Sequence, residues 1–353
     1  MATTALCITA ASPQLGIIYG SCSDALPHPQ RRPLALAGGT LISLLALLTG
    51  LGAPSPARAE TVVERVARTG VLTLGGRTDL IPSSYVDANG QLVGVSLDVA
   101  TRIAAELARY LNKPVRVDFR RVDSPDALFK LVSQGEVDLA CGVQFTWERE
   151  MYADYTLPYS LSGIRLLTRN ASLNGSPEGL IGKRIGVLSG SLGEARIKDL
   201  QPKANLVPLN DLQSGVRSLL AGRLDAVAGD SLTLAGTLTA FTAGLPKGTT
   251  LDLVPREPLG RYGVGCILPE NNSTFRNLAN LAVAGLLQGY LDGEPVAAAT
   301  VNRWFGPSGI LQLPPELIRS FFESVLFSVE RVGAPVRMAP AAQPNPQSPS
   351  APR

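Results

Sequence analysis

Two stretches of the chain, "LFKLVSQGEVDLACG" (128–142) and "VRSLLAGRLDAVAGD" (216–230), run through one order of events: a helical apolar pattern, a glycine stop, two residues, an aspartate and an apolar strand. A helix that ends on glycine and feeds directly into a buried strand is the working unit of an α/β fold, and two copies point to two lobes of similar build. Helix, glycine and strand recur in α/β chains at large, so the echo establishes the class before it establishes a duplication.

The neighbouring segments agree. Apolar residues at 97, 100, 103, 104, 107 and 111 have helical spacing and predict a helix from Ser96 to Leu111, ended by Asn112 and Pro114. Val115, Val117 and Phe119 alternate with Arg116, Asp118 and Arg120, the period of a half-buried strand. Ser124, Pro125 and Asp126 supply an N-cap, a first-turn proline and a first-turn acid to the next helix, and Gly135 stops it. "SGIRLLTR" (162–169) and "GRYGVGCILPE" (260–270) read as extended crossover strands. With two crossings, one lobe is continuous and the other is assembled from both chain ends: 60–161 with 262–306, and 162–261. A helical extension over 307–333 and a disordered Pro/Ala-rich tail over 334–353 complete the expected organisation.

Residues 1–59 read as a cleavable export leader. Arg31 and Arg32 precede an uncharged apolar stretch from Leu34 to Ala53, and Ala57 and Ala59 have the spacing a signal peptidase reads. The paired arginines admit a twin-arginine route beside the general one, and an apolar run of this length also fits an uncleaved anchor. The chain carries 32 basic and 29 acidic residues. The leader holds three of the arginines and one aspartate, so the rest is close to neutral and implies no polyanion partner. The single histidine, His28, and two of the four cysteines, Cys7 and Cys22, also lie in the leader. The remainder therefore has no imidazole, which excludes Ser-His-Asp hydrolysis, histidine acid/base catalysis and the common zinc sites. No metal or other cofactor is expected.

The segments "LTLGGRTDLIPSSYVDANGQLVGVSLDVATRIAAEL", "VDLACGVQFTWERE", "YTLPYS", "GKRIGVLSGS" and "LDAVAGDSLTLAG" stand in the order and spacing of the family 3 extracellular solute-binding proteins. In this the chain resembles the periplasmic amino-acid receptors of ABC importers, and most of all those for glutamate and aspartate. The resemblance spans about Glu60 to Phe305. It implies a two-lobed type II binding-protein fold, each lobe a mixed, mostly parallel sheet flanked by helices, joined by two hinge strands. It also implies a periplasmic monomer, an amino-acid ligand and a permease in the inner membrane, with no nucleic-acid partner.

Residue by residue, the resemblance gives Arg149 the ligand α-carboxylate, which a planar guanidinium pairs with two bonds at once. Asp230 takes the α-ammonium, or alternatively caps the helix that starts at Ser231. Ser189, Gly190 and Ser191 precede a helix beginning about Leu192, where backbone N–H groups and the Ser191 hydroxyl bind the carboxylate or serve as a simple cap. Gly142, Gln144 and Thr146 add polar contacts. Arg77 stands where acidic-ligand receptors carry an arginine and points to a carboxylate side chain, unless its stem lies along the lobe surface. The chain departs from the pattern at two places. Leu128 replaces a second arginine of some acidic-ligand receptors, with Arg120 and Arg121 as possible substitutes, and Leu80 replaces the usual aromatic platform, leaving Tyr85 or Trp147 to cover the ligand. Cys141 and Cys266 are expected to form a disulfide in an oxidising compartment, two buried thiols being the alternative. A dehydratase related to the cyclohexadienyl and arogenate enzymes is the competing function, with Glu148 or Glu194 as its only nearby acids.

Overall fold

The computed structural model describes residues 60–170, 172–242, 245 and 249–327. The expected leader, the tail over 334–353 and the end of the C-terminal helix lie outside these residues.

One mixed sheet runs through the molecule. Its strands lie in the order Asn205–Leu209, Arg184–Leu188, Ala226–Asp230, Ser160–Thr168, Asp252–Leu268, Leu139–Gln144, Val71–Gly76 and Arg116–Arg121, with Asp154–Tyr155 pairing beside the path on Asp252–Leu268. The outer ladders on each side are parallel, and the pairings made by the two crossover strands are antiparallel. Both crossover strands therefore belong to both halves. Asp252 pairs with Thr168 at one end, and Val264 with Ser160 at the other. The return strand begins at Asp252, earlier than its sequence pattern implies, because register breaks between Val254 and Leu259, and between Leu259 and Arg261, interrupt the alternation there.

The local elements follow the capping rules. Val95–Leu111 ends on Asn112, which takes the left-handed conformation at φ 51°. Ser124 accepts from the Ala127 N–H and opens Pro125–Ser133. In each copy of the echo the aspartate after the glycine ties two strands together. Asp138, 2% exposed, accepts from the Thr73 N–H at 2.8 Å and pairs with Arg65. Asp225 accepts from the Arg184 N–H at 2.8 Å and pairs with the Arg184 side chain, which holds its carboxyl below the usual range. The aspartate recurs because in each copy its carboxylate satisfies a main-chain N–H of a neighbouring strand.

Apolar burial divides along the same lines. The first half packs Val95–Leu111, Ser273–Leu291 and Pro295–Trp304 around Leu72, Leu74, Ile103, Leu107 and Phe275. The second half holds two clusters on the two faces of its sheet, around Leu166, Ile185 and Ile197, and around Leu167, Val216 and Val227. The helix Pro315–Phe327 adds Ile318, Phe322, Val325 and Leu326 to the first core, with the Phe322 ring edge-on to Tyr290. Cys141 and Cys266 lie opposite each other on paired strands and are joined as a disulfide. Among the described residues no helix is long and apolar enough to cross a membrane.

Candidate functional site

Both copies of the echo end in one cavity of about 110 Å³. The first copy ends at Gly142 and the second at Asp230, and both residues line it. Parallel α/β sheets present ligand groups at the carboxyl ends of their strands, which is where these two sit. Gly142 has φ +80°, and a Cβ there would fall 2.0 Å from Ser83 Oγ, so the position admits little besides glycine.

Arg149 lines the cavity from the first half. Its Nη1 donates to the carbonyl and side-chain oxygens of Gln144 at 3.2 and 3.3 Å. Gln144 also lines the cavity, and its carbonyl accepts from Tyr155 Oη at 2.9 Å. Burial pushes the Tyr155 phenol up to about 12, so it remains a donor. Thr146 does not line the cavity. Its hydroxyl caps Trp147–Glu150 by accepting from the Arg149 N–H at 3.2 Å, which orients the arginine.

Asp230 lines the cavity from the second half and also acts as a cap. Its Oδ1 accepts from Thr233 N and Oγ1 at 3.0 and 3.1 Å. Its Oδ2 accepts from Tyr262 Oη at 2.9 Å. The cap reading of Asp230 is present and does not preclude the other, since a carboxylate has about four lone-pair sites and these bonds leave capacity for a cation. Burial and the adjacent Asp230 charge raise the Tyr262 pKa strongly, so this phenol too stays protonated.

Ser191 lines the cavity, whereas Ser189 borders a separate polar recess at its mouth and Gly190 lines neither. The expected amides are already engaged: Gly190 N–H donates to Glu194 Oε2 at 2.7 Å, and Ser191 N–H to the Leu188 carbonyl at 3.1 Å. The Ser191 hydroxyl accepts from Glu194 N–H, completing a reciprocal cap.

Arg77 lines the cavity and is only 9% exposed, yet its fork is committed. Nε and Nη2 donate to the two carboxylate oxygens of Asp79 at 2.8 and 2.6 Å, Nη2 also reaches the Asn210 carbonyl at 2.7 Å, and Nη1 donates to the Asp123 carbonyl. The arginine bridges the two halves and already has a carboxylate partner. That partner is two residues away in sequence, a signal that was present in "RTD". Leu80, Leu128, Leu188, Leu192 and Leu212 supply much of the remaining wall. The expected aromatic covers do not reach it: Trp147 is 76% exposed, and Tyr85 packs edge-on against Trp304. Arg120 and Arg121 pair at the surface with Glu136 and Asp123. Ser83, Thr233 and Tyr262 escaped the sequence reading, since a single hydroxyl carries no pattern. Among the described residues no acidic, histidine or cysteine group of three or more could hold a metal ion.

The profile of the bacterial extracellular solute-binding proteins, family 3, matches residues 72–307. The glutamate/aspartate import solute-binding protein of Salmonella typhimurium is 27% identical over 296 residues, covering 80% of this chain and 92% of that protein. The L-arginine-binding protein of Pseudomonas aeruginosa is 28% identical over 262 residues, covering 72% and 91%. Among solved structures, an ancestral arginine-binding protein bound to arginine superposes with a TM-score of 0.57 at 25% identity, covering 67% of this chain and 99% of that one.

Proposed function

As a member of the bacterial extracellular solute-binding proteins, family 3, the chain is a solute receptor, and we propose that its ligand is a free amino acid, with acidic side chains preferred. In this reading it is an exported periplasmic protein, freed of residues 1–59, that closes two lobes on the ligand and presents the closed form to an ABC permease. The closing bodies are 60–161 with 262–306, and 162–261, hinged at the crossover strands.

The observation that carries the reading is that Arg149 and Asp230 line one cavity from the two halves of the sheet. A cation for the α-carboxylate and an anion for the α-ammonium, borne by opposite bodies, make a zwitterion stabilise the closed state more than the open one. Ser191 and Gln144 add neutral polar contacts, and the disulfide pins the return strand inside the first lobe. Among the described residues Asp230 is the one acid that lines the cavity, and the curated relatives are named as binding proteins, so a dehydratase reading has little to rest on.

The acidic preference rests on the glutamate/aspartate relatives and on Arg77 in the wall. Against it stands one specific observation: Asp79 already occupies the Arg77 fork and five leucines line the cavity, which favours an uncharged aliphatic side chain. A thermal-shift panel of the twenty amino acids on the mature chain separates the two, because a bound ligand raises stability with its saturation. Glutamate and aspartate are expected to give the largest shifts. Leucine or methionine in the lead would move the side-chain assignment while keeping the receptor, and a panel with no response would remove the amino-acid reading.

A further inference from the structure

Behind the crossover strands lies a second cavity, of about 280 Å³, that the amino-acid reading leaves unused. Along Ser160–Thr168, Ser160, Leu161, Ser162 and Arg165 line this cavity, whereas Ile164 lines the first one. The outer wall comes from Leu313, Leu317, Ile318, Phe321 and Phe322, on and just before the helix Pro315–Phe327. That helix follows the family-matched segment, which ends at 307, so the outer wall of the cavity lies beyond the matched segment and most of the rest of its lining lies within it.

The wall is mainly apolar and one edge is cationic. Arg165 and Arg261 line it, and Arg256 adjoins them, its carbonyl accepting from Arg165 Nη2. The single neighbouring acid, Glu257, is paired with Arg261. The Arg165 Nε is buried and donates to nothing among the described residues. A buried guanidinium N–H without an acceptor is costly, and an acceptor bearing negative charge relieves it best. Local charge thus stands at three arginines against one glutamate.

We propose that this cavity binds a medium-chain carboxylate, its alkyl chain among the leucines and phenylalanines and its anionic head on Arg165. The proposal stands apart from the identity of the amino acid, because the two sites share no lining residue.

Titration calorimetry of the mature full chain with hexanoate, octanoate and decanoate tests it, with octanol and octylamine as matched controls. Affinity should rise about fourfold per methylene until the cavity is filled. Octanoate should bind about tenfold more tightly than octanol, and octylamine should not bind. Arg165→Gln should cut octanoate affinity about tenfold and leave octanol unchanged, and Leu317→Trp should weaken both by filling the cavity. Retained thermal response to the amino acid shows that either variant is folded. Absent octanoate binding, or binding indifferent to both substitutions, overturns the proposal.

Discussion

Tyr262 donates its phenolic hydrogen to Asp230 Oδ2 at 2.9 Å, fastening the carboxylate proposed for the ligand ammonium to the return strand Asp252–Leu268. Thr233 holds the other oxygen, so Asp230 is aimed from two sides. Tyr262→Phe removes one of these supports without changing shape. Hydrogen bonds to charged groups contribute about 1.5–3 kcal/mol, and calorimetry should show amino-acid affinity falling by about tenfold or more while circular dichroism is unchanged. Unaltered affinity would show that Asp230 needs no aid from the hinge.

Gly190 has φ +70°, and a Cβ on it would lie 2.5 Å from Asp126 Oδ2 in the other half. Gly190→Ala meets two separate penalties. The left-handed backbone costs roughly 1 kcal/mol in every folded state, whereas the collision exists only when the halves approach. Stability and ligand affinity should both drop, and adding Asp126→Ala should recover the affinity but not the melting temperature. Joint recovery of both would mean that the contact is not one of closure.

The disulfide spans a sequence separation of 125 residues. Closing a loop of that size removes unfolded-state entropy worth about 4–5 kcal/mol at most. Replacing Cys141 and Cys266 together by alanine should lower the melting temperature by roughly 10 °C, measured by calorimetry, with the amino-acid affinity nearly retained. A change below about 2 °C would place the restraint elsewhere.

Glu150 is a carboxylic acid whose ionisation should work against the fold. Burial, followed by the Asp154 charge, raises its pKa, and its Oε2 has no partner among the described residues. The native state then holds the proton more tightly than the unfolded chain, so stability is greatest below the ordinary value of 4.5 and declines as pH rises through the raised one. Glu150→Gln should therefore stabilise at pH 7 and gain nothing near pH 4. Denaturant midpoints across that range check it, and a gain independent of pH would point to a cause other than charge.

Much of the scaffold was legible because it is local. The caps at Asn112 and Ser124 and the helix start at Leu192 each depend on a few adjacent residues, and each stands where its pattern predicts. The echo was readable as well, and its meaning is physical: both aspartates satisfy an N–H at a neighbouring strand, and both units end at the cavity. The two strands of the echo begin directly after their aspartates, at Leu139 and Ala226.

The order of charged and apolar residues along the chain was enough to determine an α/β fold, and the family resemblance pointed to Arg149 and Asp230, which both line the cavity. Folding alone decided what those charges can still do. Arg77 was read as a partner for a carboxylate side chain, with the lobe surface as the alternative, and the three-dimensional arrangement commits it to Asp79 and to carbonyls of both halves. Ser189 and Gly190, read as contacts, were drawn away to the rim and into a helix cap. A sequence specifies which donors exist, but a hydrogen bond is a matter of distance and angle, and those are set by segments far apart in the chain.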